Sequence, residues 1–205
     1  GKGTFYAVNN NRYVGLWYRN KKEGSGTMYY YNGARYEGSW KNDKRNGKGL
    51  YTYENGAFYK GDWVDDKKSG KGIFDWGDGE KYEGSWANNE RNGRGTYFYA
   101  TGDYYVGDWK NDMQDGRGIY KFKNGDVYEG QYLLGERSGE GTMRFASGDT
   151  YTGSFLQGEQ SGKGTFIWKG VATYTGDWQH NMMHGHGVYK WKNGDEYNGG
   201  WKNNA

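Results

Sequence analysis

The sequence predicts an all-β chain: an elongated single-layer antiparallel sheet of consecutive β-hairpins. Three observations lead there. A tyrosine returns every 23 residues, at Tyr13, Tyr36, Tyr59, Tyr82, Tyr105, Tyr128, Tyr151, Tyr174 and Tyr197, each with Gly two residues later and an aromatic four residues later. Within each period two segments alternate with period two, the mark of a strand. A turn dipeptide containing Gly then closes the period. Self-similarity at a fixed period means that no unit buries its apolar face alone, so stability comes from stacking on neighbours and the product is an extended surface.

With the tyrosine as position 0, the first strand of a unit carries Tyr, Gly at +2 and an aromatic at +4 on one face. That aromatic is Trp17, Trp40, Trp63, Trp86, Trp109, Trp178 or Trp201, with Tyr132 in the sixth unit and Phe155 in the seventh. A polar stretch such as Asn42-Asp43-Lys44-Arg45 follows. The second strand carries Gly at +11 and +13, for example Gly47 and Gly49, and large residues at +15 and +17, such as Tyr51 and Tyr53, again on one face. The turn into the next unit reads Asn32-Gly33, Asn55-Gly56, Asp78-Gly79, Thr101-Gly102, Asn124-Gly125, Ser147-Gly148 and Asn193-Gly194, where Gly supplies positive φ. The seventh unit departs, with Lys169-Gly170 one position early and Val171 in the place of Gly, so its local geometry is expected to differ.

Parity sets a register, because residues directly opposite in an antiparallel pair point to the same face. Pairing +4 with +11 places +2 against +13 and 0 against +15. The next tyrosine is then expected to pair with +17 across an odd-length connection of three residues with a bulge. In that register Trp40 lies between Gly47 and Gly26. The glycines are expected to seat indoles, ring burial outweighing the glycine penalty.

The repeat runs from Gly1 to Trp201 without a linker, which reads as one continuous array over 1–205: complete repeats start at each tyrosine from Tyr13 to Tyr174, and partial repeats occupy 1–12 and 197–205. Only 33% of residues are hydrophobic but 20% are aromatic, a composition for a thin layer of rings. The chain has no Cys, which excludes disulfides, thiolate zinc and cysteine nucleophiles, and it has no Asn-x-Ser/Thr sequon; both suit a reducing cytosol. No apolar run reaches transmembrane length. Residues 1–102 hold 17 basic and 12 acidic side chains, whereas 103–205 hold 11 and 13, a lopsided balance too weak for a nucleic-acid domain.

Tyr36-Glu37-Gly38-Ser39-Trp40, then Gly47-Lys48-Gly49, then Asn55-Gly56 resembles a MORN repeat, the membrane occupation and recognition nexus motif. The resemblance covers eight complete units and departs at Tyr132, Phe155 and the turn near Gly170. It implies a long, twisted, single-layer sheet with an aromatic-lined groove. It also implies scaffold roles in cytoskeletal, ciliary and membrane-contact assemblies, with a partner helix in the groove or acidic phospholipid as ligands.

The groove and core aromatics are expected to be Tyr13, Trp17, Tyr36, Trp40, Tyr59, Trp63, Tyr82, Trp86, Tyr105, Trp109, Tyr128, Tyr132, Tyr151, Phe155, Tyr174 and Trp178, which are first of all the core because no other residues can bury the sheet. Tyr18, Tyr29, Phe58, Phe98 and Tyr104 fall outside those columns. At +8 and +9 the tips carry Lys21-Lys22, Lys44-Arg45 and Lys67-Lys68, then lose their basic character; six cations in a row along one edge would attract anionic lipid or an acidic partner, against the plainer reading of a solvated loop face. His180, His184 and His186 lack the further ligands of a structural zinc, so neither metal nor cofactor is expected. No catalytic constellation is visible, and the Gly-x-Gly pairs precede no helix that would make a phosphate site.

The leading expectation is a cytoplasmic, non-enzymatic scaffold that binds a protein along its groove: a peptide or amphipathic helix of a cytoskeletal or ciliary component, or a second copy. A tether using the basic tips on anionic membrane is the alternative. Carbohydrate or choline cages of the cation–π type are disfavoured by the 23-residue period and its paired glycines, and no nucleic acid is expected.

Overall fold

Where the alternation runs, strands form, and where Asn, Asp and Gly interrupt it, the chain turns. The computed structural model describes residues Gly1–Ala205 and contains eighteen strands and no helix. Its residues fall into two units, Gly1–Ala100 with Lys110–Asp112, and Thr101–Trp109 with Met113–Ala205. The first holds β1 (Lys2–Tyr6), β2 (Arg12–Tyr18), β3 (Lys21–Tyr29), β4 (Arg35–Lys41), β5 (Lys44–Thr52), β6 (Phe58–Val64), β7 (Lys67–Asp75), β8 (Lys81–Ala87) and β9 (Glu90–Phe98). The second holds β10 (Tyr104–Lys110), β11 (Met113–Lys121), β12 (Val127–Leu133), β13 (Glu136–Arg144), β14 (Thr150–Leu156), β15 (Glu159–Trp168), β16 (Ala172–Gln179), β17 (Met182–Trp191) and β18 (Glu196–Trp201). Within each unit consecutive strands pair antiparallel, hairpin after hairpin.

The tips are two-residue turns with both residues at positive φ, such as Asn42 (49°) and Asp43 (68°) or Asp65 (47°) and Asp66 (67°). This is the geometry whose twist matches the flanking strands, and Asn and Asp tolerate it best among residues with a side chain. Such a tip fixes +5 opposite +8 and +4 opposite +9, as in Lys41 with Lys44 and Trp40 with Arg45. The expected pairing of +4 with +11 inside the hairpin is therefore incorrect, because it would need a longer tip. Beyond Arg45 the second strand carries two extra residues in a bulge that includes Gly47 at φ 98°. The bulge restores Gly38 opposite Gly49 and Tyr36 opposite Tyr51, as parity demands. Gly47 pairs instead with Trp63 of the following unit.

The next tyrosine also departs from expectation: Tyr59 pairs with Tyr51 at +15, not with Tyr53 at +17. Tyr53 opens the turn, its N–H donating to the Ala57 carbonyl at 2.8 Å while the Gly56 N–H donates to the Tyr53 carbonyl at 3.1 Å. Three residues are enclosed, with Gly56 at φ 89°, which is the odd loop the sequence required. Asn precedes Gly because its Oδ1 accepts the Ala57 N–H at 3.1 Å. In the seventh unit the loop Lys169-Gly170-Val171 keeps this length, since Trp168 pairs with Ala172. The positive φ simply moves to Gly170 (71°).

The core is a sheet of rings lying on glycine. Each tyrosine hydroxyl donates to the carbonyl three residues ahead, Tyr36 to Ser39 at 3.0 Å, Tyr59 to Asp62 at 3.0 Å and Tyr151 to Ser154 at 3.0 Å. That bond draws the ring flat over the +2 and +13 glycines. A Cβ on Gly38 would lie 2.5 Å from Gly49 Cα and 2.7 Å from the Tyr36 hydroxyl, and one on Gly49 would overlap the Tyr36 ring. The glycines thus seat phenols, not indoles, which corrects the sequence expectation. The indoles stand edge-on as partitions: Trp40 and Trp63 flank Tyr36 at 5.1 and 5.5 Å, interplanar angles 90° and 84°. Indole N–H groups of the +4 column reach back to glycine carbonyls, Trp40 to Gly26 at 3.0 Å and Trp86 to Gly72 at 3.1 Å. The eight tyrosines from Tyr13 to Tyr174 are 0% exposed, burial worth roughly 4–6 kcal/mol per ring as an upper bound.

Candidate functional site

Above this layer the same face carries two rows of side chains. The first is the +17 row, half-buried in Tyr30, Tyr53, Trp76 and Tyr99 of the first unit. These rings interleave with the +15 rings into a ladder: Tyr30–Tyr51 at 5.7 Å, Tyr51–Tyr53 at 4.6 Å, Tyr53–Phe74 at 5.6 Å, Phe74–Trp76 at 4.5 Å, Trp76–Tyr97 at 5.4 Å and Tyr97–Tyr99 at 4.6 Å. The second unit repeats the pattern through Phe145, Phe166, Trp168, Tyr189 and Trp191, with neighbours 4.4–5.7 Å apart. Sequence reasoning assigned +17 to the core. In the structure the next tyrosine pairs with +15 instead, which frees the +17 row, aromatic in all eight units, to lie above the core.

The second row is +9, which the type of tip turns onto the aromatic face. Lys22 lies over Trp40 at 4.5 Å, Arg45 over Trp63 at 4.2 Å, Lys68 over Trp86 at 4.4 Å and Phe74 at 4.6 Å, and Arg91 over Tyr97 at 5.2 Å. The backbone N–H of each is held by the following tip, to Asp43, Asp66, Asn89 and Asp112 respectively. Two of these cations are neutralised. Arg45 Nε meets Asp66 at 3.0 Å and Arg91 Nε meets Asp112 at 3.0 Å. Lys22 and Lys68 form no ion pair: the tip opposite Lys68 offers the amide of Asn89, whereas Lys22 shares a cavity with Asp43 of the following tip without closing to ion-pair distance. Burial among the rings pushes Lys68 down to about 8, only partly opposed by Asp112, and burial likewise lowers Lys22 against the opposing pull of Asp43 and Asp66.

The +8 cations Lys21, Lys44 and Lys67 are exposed on the opposite face, with Lys44 4.0 Å from Asp65 and Lys67 Nζ 3.4 Å from Asn88 Oδ1. The six tip cations thus divide three and three between the faces and do not form one row. Of the predicted aromatics, Tyr13, Tyr36, Trp40, Tyr59, Trp63, Tyr82, Trp86, Tyr105, Trp109, Tyr128, Tyr132, Tyr151, Phe155, Tyr174 and Trp178 are buried. They form the floor under the two rows, and Trp17 is half-buried. Tyr29 and Phe58 belong to the outer face, Tyr29 under Arg12 at 4.3 Å, as does Phe98 under Lys81 at 4.7 Å; Tyr18 and Tyr104 lie near Arg19 and Lys121. His180 contacts Glu159 at the tip, 2.7 Å away, and no set of three or more His, Asp or Glu converges as a metal site.

The outer face holds an open groove of about 700 Å³ that sequence reasoning missed, lined by Glu37, Lys48, Leu50, Lys60 and Ile73 around bare Gly49, Gly61 and Gly72. The second unit has a smaller one of about 470 Å³, where Thr165 meets Thr175 at 3.0 Å. No helix is long and apolar enough to cross a membrane.

The MORN repeat family model matches residues 13–35, 36–58, 59–81, 82–104, 105–127, 128–150, 151–170 and 174–196. Among curated proteins nothing matches significantly. Among solved structures, the TCP domain of Drosophila melanogaster SAS-4, in complex with a proline-rich motif of Ana2, covers 98% of this chain and 90% of its own at 13% identity and TM-score 0.37. Virginiamycin B lyase from Staphylococcus aureus covers 100% and 71% at 11% identity and TM-score 0.18, and a streptogramin B lyase 100% and 70% at 12% and 0.20. At these scores neither the ligands nor the activities of those proteins carry over.

Proposed function

Because the chain belongs to the MORN-repeat family, whose repeats serve as protein- and membrane-binding scaffolds, we propose that it is a non-enzymatic adaptor whose aromatic face binds a segment of a partner protein, in a cytoplasmic assembly of cytoskeletal, ciliary or membrane-associated character. One observation carries the reading. The aromatic face of the first unit keeps a continuous ladder of half-buried rings beside two ammonium groups, Lys22 and Lys68, that form no ion pair. A peptide or helix laid across the strands would touch one +17 ring per hairpin, so its affinity grows with the number of repeats.

The test is affinity capture with the folded array, then hydrogen-exchange mapping of the protected face and a truncation series monitored by calorimetry, with circular dichroism as the folding control. Binding is expected on the aromatic face and is expected to vanish in a two-repeat piece. Full-strength binding by a folded two-repeat piece, or protection confined to the outer face, overturns the reading. The membrane alternative draws on the exposed Lys21, Lys44 and Lys67 of the outer face. At roughly 1 kcal/mol per cation near an anionic bilayer, three cations give only weak attraction, and absence of binding to anionic liposomes at physiological salt removes it.

A further inference from the structure

The periods of the ladder and of its charges select among partner conformations. One +17 ring appears per hairpin, every two strands, which is about 9.4–9.8 Å across the sheet. A polyproline II helix advances about 9.3 Å in three residues and returns to the same face. An α-helix that keeps one face needs seven residues, about 10.5 Å, so over the three steps from Tyr30 to Tyr99 it drifts by roughly 2–3 Å and follows the rings less closely. A β-strand fails by parity, since residues three apart point to opposite sides.

Charge narrows the choice further. On β3, β5, β7 and β9 the +9 cations read Lys22, Arg45, Lys68 and Arg91. The two arginines are already paired with Asp66 and Asp112, while the two lysines form no ion pair. Lys22 and Lys68 are four strands apart, about 19 Å, which is six polyproline residues, about 18.6 Å. The cations touch the +15 rings from one side, Lys68 over Phe74 at 4.6 Å, and the +17 rings touch them from the other, Trp76 to Phe74 at 4.5 Å. A three-fold helix lying above the +15 row therefore presents one ridge to the +17 rings and the next to the lysines.

We propose that the aromatic face of the first unit receives an acidic, proline-rich segment in the polyproline II conformation, prolines at every third residue stacking on Tyr30, Tyr53, Trp76 and Tyr99 and carboxylates six residues apart seated on Lys22 and Lys68. This rests on the protein-binding reading above and names the chemistry of the partner. The pre-extended helix loses little conformational freedom on binding, and the desolvated ammonium of Lys68 gains the acceptor that Asn89 does not supply.

The test uses the full chain and three synthetic probes: (Pro-Pro-Glu)4, (Pro-Pro-Lys)4, and an amphipathic α-helical peptide of Glu and Leu with the net charge of the first. Calorimetry is expected to show binding of (Pro-Pro-Glu)4, none of the lysine probe, and at least tenfold weaker binding of the helix. Asn89→Asp places a carboxylate where Asp43, Asp66 and Asp112 stand in the other tips; the added negative charge beside Lys68 should weaken (Pro-Pro-Glu)4 at least fivefold without loss of folding. Trp76→Ser should do the same by removing a ring. Equal or tighter binding of the helical peptide overturns this inference and leaves the protein-binding reading standing. Failure of (Pro-Pro-Glu)4 to bind, or binding indifferent to both substitutions, overturns it as well.

Discussion

Two glycines of one strand, Gly93 and Gly95, are required for different reasons, and the difference can be measured. Gly95 lies under Tyr82, whose hydroxyl donates to the Ser85 carbonyl at 3.0 Å, and a Cβ there would overlap both hydroxyl and ring. Gly93 sits in the bulge at φ 92°, where its Cβ would meet Ser85 Cβ at 3.1 Å and no indole. Gly95→Ala should therefore lose several kcal/mol by overpacking a ring that cannot retreat. Gly93→Ala should lose about 1–2 kcal/mol, the strain of a side chain in the left-handed region. Urea denaturation of the two variants checks the order. If Gly93→Ala proves the more damaging, the phenol is not what the glycines accommodate.

Among the elements, the tip turn decides most of what sequence parity left open. The repeat, the strands, the two alternating faces and the three-residue loop before each tyrosine were legible, because spacing and Gly-containing dipeptides act locally. The register at +4 was not: Asn42-Asp43 is a two-residue turn only because both residues take positive φ, and the bulge that compensates lies on the other strand. That same turn sends Arg45 to the aromatic face and Lys44 to the outer one, which is why six cations read as one row in the sequence and divide in the fold. It also makes Asp66 a clamp, its Oδ1 accepting both the Arg45 N–H and Nε at 3.0 Å and its carbonyl accepting Arg45 Nη2 at 2.9 Å. Asp66→Asn keeps the backbone bond, as Asn89 does opposite Lys68, and should lose about 1 kcal/mol or less. Asp66→Ala removes the acceptor and should lose about 1–3 kcal/mol. Equal melting temperatures for the two variants would show that the carboxylate-to-amide change, not the turn bond, carries the effect.

For the molecule as a whole, the layer of rings makes stability depend on alkaline pH in two opposing steps. Burial raises the core tyrosines, Tyr13, Tyr82 and Tyr128 to about 12 and Tyr36, Tyr59 and Tyr151 further. A group whose folded value is raised lends stability that is complete below its unfolded value, near 10, and is lost as the pH climbs through the folded one. Lys68 has the opposite sign. Burial lowers it to about 8, so the folded state bears the full penalty of a desolvated charge below pH 8. The penalty is relieved between about 8 and 10.4, where the unfolded chain still binds the proton. The expected profile rises from pH 8 to about 10, with Lys22 adding to the rise, and then falls steeply as phenolate formation favours the unfolded chain. Denaturation midpoints at intervals from pH 7 to 12, read by tryptophan fluorescence, measure it. Lys68→Met should flatten the rise and leave the fall intact, because the methionine keeps the contact with Trp86 and removes only the proton. A variant that follows the parent point for point would mean that Lys68 is fully hydrated, and that the row of rings beside it is no drier than an ordinary surface.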